Sequence, residues 1–212
     1  MKFEDLDLGK TYTYADYLLW PFSERVELIK GRIFKMSPAP SAGHQQISSR
    51  LLKRMFHFFG DGRNGCQVFH APFDVRLFPA TRDSTSPDKI HTIVQPDICV
   101  ICDPAKIDKR GCKGAPDWII EILSHSTMNK DVREKFELYE TYGVKEYWVV
   151  YPADGQVLVF TRNEQEKYVG HQPYTRSQTL SPTLFPDLDI DLSNLFPEPD
   201  LVEEPWAEYM RL

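Results

Sequence analysis

Apolar and polar positions repeat with two different periods along this chain, and the changes of period mark its elements. Ile47, Leu51, Leu52, Met55, Phe58 and Phe59 recur at helical spacing, which predicts an amphipathic helix over 44–59. Ser41, after the loop 38–40, is placed to cap that helix, and the Gly-rich stretch 60–65 ends it. A second helix is expected from a cap at Thr127 or Asn129 to about Tyr142, with Gly143 as its stop, and a short one between Thr13 and Pro21. The segments 25–30 and 32–36 alternate with period two around Gly31, the signature of a hairpin.

Further β-type stretches are 67–71, 73–78, 93–102, 118–123, 146–151 and 156–161, with a weaker one at 188–192; 79–89 and 103–116 read as loops. The run 118–123 is almost wholly apolar, as befits a central strand covered on both faces. Strands, helix, strands, helix, strands is the order of one α/β (α+β) domain, a mixed sheet flanked by helices with an N-terminal β-hairpin. It is assigned to residues 1–192, followed by an acidic, Pro-containing tail over 193–212.

With 212 residues, 42% of them hydrophobic, the chain can bury a sizeable core. No stretch approaches the roughly 18–20 apolar residues of a membrane span, and Met1-Lys2-Phe3-Glu4-Asp5 lacks a signal-like apolar segment, so a cytoplasmic protein without membrane contact is expected. The net charge of −6 sits at one end: eight acids against Arg211 lie from 183 onward, leaving the rest near neutral. Charge therefore excludes little, nucleic acid included. Cys66, Cys99, Cys102 and Cys112 are too few for a disulfide framework, and a reduced setting with buried free thiols is expected. Cys99-Val-Ile-Cys102 has a zinc-like spacing, but on a strand those two positions point to opposite faces.

The chemistry is carried by an anomaly. Glu121 lies within Ile119-Ile-Glu-Ile-Leu123, where its neighbours all belong in a core, so its carboxylate must meet a cation, a proton or a cavity. Asp97 heads another apolar strand, and pairing of the two strands would set the carboxylates side by side. At ~4 Å they would repel by about 4 kcal/mol at an effective dielectric near 20, so a positive group belongs between them. Mg²⁺ or Mn²⁺, content with one or two carboxylates plus water and phosphate, fits that need. On the following helix Lys135 shares a stripe with Leu138, Tyr139 and Tyr142, so its ammonium is predicted to face the sheet. The bland alternatives are a buried ion network and a surface Asp131–Lys135 pair.

Gln95-Pro-Asp-Ile98, Asp117-Trp-Ile-Ile-Glu121-Ile-Leu-Ser124, Asp131, Lys135, Leu138-Tyr-Glu140 and Gly143-Val-Lys-Glu-Tyr-Trp148 together resemble the Uma family of putative restriction endonucleases, within the PD-(D/E)xK nuclease-like superfamily. Glu27-Leu-Ile-Lys-Gly31, Met36-Ser-Pro-Ala-Pro40, His44 and Pro72-Phe-Asp-Val75 extend the likeness over roughly 10–175. It implies a restriction-endonuclease-like core, with Asp97 and Glu121 as metal ligands, Glu27 completing the shell and DNA as partner. The superfamily lysine two residues after the acid is Leu123 here, and Lys135 takes its place; Ser124-His-Ser126 and Val150-Tyr-Pro152 also depart from the family pattern. His44 is a candidate substrate contact. The expected function is metal-dependent hydrolysis of DNA phosphodiester bonds. The rivals are a catalytically silent binding or regulatory module and a hydrolase of small phosphorylated substrates. A homodimer would suit a nuclease addressing two strands. The basic stretch 106–113 and Arg50, Lys53 and Arg54 are the positions available for phosphate contacts.

Overall fold

A computed structural model describes residues 2–36, 39–60, 65–79, 85–123 and 131–198, with side chains from 133 in the last stretch. The expected helix caps at Thr127 and Asn129, the segment 124–126 and the tail from 199 lie outside these residues.

The strands are β1 (Val26–Ile29), β2 (Arg32–Lys35), β3 (Gln67–His70), β4 (Val75–Leu77), β5 (Thr92–Val94), β6 (Ile98–Ile101), β7 (Ile107–Asp108), β8 (Gly111–Lys113), β9 (Trp118–Ile122), β10 (Glu146–Tyr151), β11 (Gln156–Arg162), β12 (Tyr168–Gly170), β13 (Tyr174–Thr175), β14 (Thr179–Leu180) and β15 (Ile190–Asp191). The helices are α1 (Tyr14–Tyr17), α2 (Ala42–Phe59) and α3 (Asp131–Tyr142). Thr13 and Ser41 cap α1 and α2 through their side-chain oxygens, as their sequence positions predict.

The α+β class holds, but the strands divide between two principal sheets where a single mixed sheet was expected. The first runs β2-β1-β5-β4-β8-β7, and the second runs β12-β11-β10-β9-β6-β3, with β13 also on β11. Each is mixed: β4–β8 and β9–β10 are parallel and the other pairs antiparallel. The stretch 93–102, expected as one strand, is broken at Gln95-Pro-Asp97 into β5 and β6, which serve different sheets. Pro96 has no N–H to give a ladder, so the chain changes sheet there. The expected loop 103–116 contains the hairpin β7–β8, which extends the first sheet.

One face of the second sheet (Ile98, Val100, Trp118, Ile120, Trp148) packs on Ile47, Leu51, Met55 and Phe59 of α2, and Leu192, Leu195 and Phe196 close that core. The other face (Cys99, Ile101, Ile119, Tyr147, Val149) packs on Leu138 and Tyr139 of α3 and on Ile29, Val75, Leu77 and Val94 of the first sheet. A third core, with Tyr12, Tyr14, Leu28 and Ile93, lies between the first sheet's outer face and the N-terminal segment. All five residues of β9 are buried, the two-sided cover predicted from its apolar run.

The cysteines require a correction. Cys66 and Cys102 form a disulfide, whereas Cys99 and Cys112 are buried free thiols. The register Gln67↔Ile101 between β3 and β6, continued by one residue, puts Cys66 opposite Cys102. That pairing depends on a strand register formed across 36 residues of sequence, which spacing alone does not reveal.

Candidate active site

Asp97 and Glu121 meet because β6 and β9 are antiparallel in the register Ile98↔Ile120, which carried one step further sets the two acids opposite each other. The Ile122 backbone N–H donates to Asp97 Oδ2 at 2.7 Å and fixes the carboxylate against β9. His44, in the first turn of α2, brings Nε2 to 3.2 Å from the same oxygen. Glu121 is 6% exposed. Its Oε1 accepts from Tyr139 Oη at 2.6 Å and from Lys135 Nζ at 3.0 Å, so α3 supplies both donors, one turn apart.

Lys135 is turned inward as its stripe predicts, with 13% of its side chain exposed, and the surface-pair alternative falls away. Its ammonium also lies 3.1 Å from Glu27 Oε1, and that oxygen accepts the Gln95 N–H at 2.9 Å. Lys135 thus joins a carboxylate of the first sheet to one of the second. Glu27 is buried because all four residues of β1 are covered, which the alternating hairpin pattern did not indicate.

The charges shift one another's protonation. Burial pushes the Glu121 pKa up; Lys135 pulls against it, while Asp97 and Glu27 add to the rise. Burial works to discharge Lys135, but Glu121 and Glu27 overcome it and hold the ammonium well above the usual lysine range. For His44, burial acts downward and is outweighed by the Asp97 hydrogen bond and charge, so its pKa is raised. His44 Nδ1 is buried and has no hydrogen-bond partner among the described residues.

A supporting layer was not legible as such. Gln95 Oε1 accepts the Arg25 guanidinium at 2.8 and 3.2 Å, and Gln95 Nε2 donates to Asp74 Oδ1 at 2.8 Å. Tyr17 Oη donates to the same Asp74 oxygen at 3.3 Å. Gln95 therefore has both ends of its amide occupied while its backbone N–H orients Glu27. Tyr139 and Asp74 lay within the sequence motifs, but nothing in the chain's periodicity distinguished them from core and turn residues.

Another buried acid is a useful contrast. Glu146 is 0% exposed and accepts from Trp148 Nε1 (2.7 Å) and from the Thr183 and Leu184 N–H groups (each 3.1 Å). These neutral donors tie β10 to the C-terminal segment, an arrangement that anchors a turn and offers no paired acid.

The donor set suits a hard divalent ion held by two carboxylates. Asp97 Oδ1 and Glu121 Oε2 take no hydrogen bond from a described residue, so each acid keeps one oxygen for a further partner. No group of three His, Cys, Asp or Glu residues suited to hold a metal occurs among the described residues, which distinguishes this site from a closed protein cage. Glu27 Oε1 is committed to Lys135 and Gln95.

A family model described as "Uma2: Putative restriction endonuclease" matches residues 14–193. The chain belongs to the Uma2 family. The match spans every residue of the site, from Glu27 and His44 to Lys135 and Tyr139. The fold is shared with the crystal structure of a putative nuclease belonging to DUF820 from Anabaena variabilis ATCC 29413 (TM-score 0.66, 20% identity, 87% of this chain and 97% of that one covered). No curated protein matches. No helix among the described residues of this Uma2 chain is long and apolar enough to cross a membrane.

Proposed function

We propose that the chain is a Mg²⁺- or Mn²⁺-dependent endonuclease that hydrolyses DNA phosphodiester bonds. The reading is carried by one convergence: Asp97, Glu121 and Lys135 meet from the head of β6, from β9 and from α3, in a chain of a restriction-endonuclease family. Asp97 and Glu121 would hold the ion through their unoccupied oxygens. When bound, the ion supplies Lewis acidity, lowering the pKa of water and polarising the scissile phosphate. Lys135 stays charged beside two carboxylates, so it does not serve as a base; it orients the attacking water and offsets negative charge growing on the phosphate. Tyr139 holds Glu121 in place and Glu27 holds the ammonium. His44, held on Asp97, is the candidate substrate contact and adds positive charge beside the phosphate when protonated.

The Glu27–Lys135–Glu121 bridge is also what a silent binding module would retain. Calorimetric titration with Mn²⁺ separates the two. Saturable binding by the parent protein, abolished in a folded Glu121→Gln variant, is expected, followed by metal-dependent nicking of plasmid DNA. If neither protein binds Mn²⁺ at millimolar concentration, the catalytic reading fails and the module remains.

A further inference from the structure

The first sheet carries a cavity on the face turned away from Glu27. Arg76 and Leu28 both pair with Ile93 and lie on the outer face, whereas Glu27, next to Leu28, points inward. The cavity is about 370 Å³, within the ~300–1,000 Å³ range of small-molecule sites. Tyr14, Phe78 and Ile90 form its apolar wall. Its rim is basic: Lys109, Arg110 and Lys113 come from the β7–β8 hairpin and Arg76 from β4.

Among the described lining residues Asp108 is the single acid, and it pairs with Arg76 at 2.6 Å. Among the described residues Lys109, Arg110 and Lys113 form no direct ion pair; Lys113 is near enough to Asp108 to help lower its pKa, and the described rim carries an excess of positive charge. The hairpin that gathers them is locked from several sides. Asp108 Oδ1 also accepts the Arg110 N–H (2.8 Å), and the Asp74 carbonyl accepts the Cys112 N–H (2.8 Å). Gly111, at φ +121°, packs so closely on Asp74 that a Cβ would overlap its carbonyl. Arg76 is held over the Tyr14 ring at 5.3 Å. Finally, the buried Tyr14 hydroxyl interacts with the Arg110 guanidinium and helps to hold that cation at the rim.

We propose that this cavity binds a phosphate monoester carried on a planar organic group, the chemistry of a nucleoside monophosphate. The cations take the phosphate, and Phe78, the half-buried aromatic of the wall, takes the planar group. The same chemistry is offered by a free mononucleotide and by the phosphorylated end of a nucleic-acid strand. The site is separate from the catalytic proposal and stands or falls independently of it.

Calorimetry in EDTA at low salt tests it with thymidine 5′-monophosphate, thymidine and inorganic phosphate, beside 5′-phosphorylated and 5′-hydroxyl oligonucleotides. The monophosphate is expected to bind saturably, at least tenfold tighter than thymidine or phosphate. Arg110→Glu/Lys113→Glu, both on the exposed rim, should weaken it tenfold or more, and Tyr14→Phe, which releases Arg110, several-fold. Glu121→Gln should leave it intact. Strand binding that requires the 5′-phosphate assigns the site to strand ends; monophosphate binding without strand binding assigns it to free nucleotides. No preference over thymidine, no effect of the rim variants, or loss in Glu121→Gln overturns the proposal.

Discussion

Lys135 Nζ lies within 3.1 Å of carboxylates from two different sheets, with most of its side chain withdrawn from water. Replacing it by methionine keeps the bulk and removes the one cation that bridges Glu27 and Glu121 among the described residues. Leaving one side of a buried ion network uncompensated costs about 3–5 kcal/mol, so Lys135→Met should lose that much in urea denaturation. The two orphaned acids should then attract Mn²⁺ more strongly, giving a larger metal-induced rise in Tm than in the parent. An equal or smaller rise would remove Lys135 from the electrostatics of the site. At this scale Glu121 and Lys135 were legible because each breaks its local pattern, an acid in an apolar run and a lysine on an inward stripe. Gln95, Asp74 and Arg25 break none, and their importance arises only from one another.

At the scale of elements, Glu146 and Glu121 are both acids in largely apolar strands, and only their neighbours separate their roles. Glu146 is met by an indole and two backbone N–H groups, and burial is the main cause of its raised pKa. Glu146→Gln presents an amide donor to those donors and should cost about 1–3 kcal/mol, with Mn²⁺ affinity unchanged. A parallel loss of metal binding would show that the C-terminal segment supports the site. Periodicity located α2, α3, β9 and β10 well, since each buries a full stripe or face. It failed at β5/β6, where one apolar run serves two sheets, and at β7–β8, whose charged residues read as loop because the hairpin lies at a sheet edge and needs little apolar surface.

For the whole molecule, protonation, metal binding and stability are linked. Glu121 has a raised pKa chiefly through burial, so the folded chain keeps that proton to higher pH than the unfolded chain does. Its contribution to stability is full below the ordinary glutamate range and is lost as pH climbs through the raised value. His44 acts in the same direction: its raised pKa makes its contribution full below about pH 6.5 and lost above its folded value. A divalent ion needs these carboxylates deprotonated, so its stabilisation grows as that intrinsic contribution fades. The Tm gain from 5 mM Mn²⁺ should therefore be larger near pH 8 than near pH 5.5 in scanning fluorimetry; a gain independent of pH would separate the ion from Asp97 and Glu121. The sequence by itself determined the helices, the doubly covered strand and the identity of the residues too polar for their surroundings, because periodicity and desolvation act on each segment where it stands. Tertiary structure alone decided that the apolar run at Pro96 splits between sheets, that Cys66 meets Cys102, and that Lys135 closes on Glu27 as well as Glu121. Each depends on a register or packing between distant segments, and a linear pattern holds no record of which partner a strand will choose.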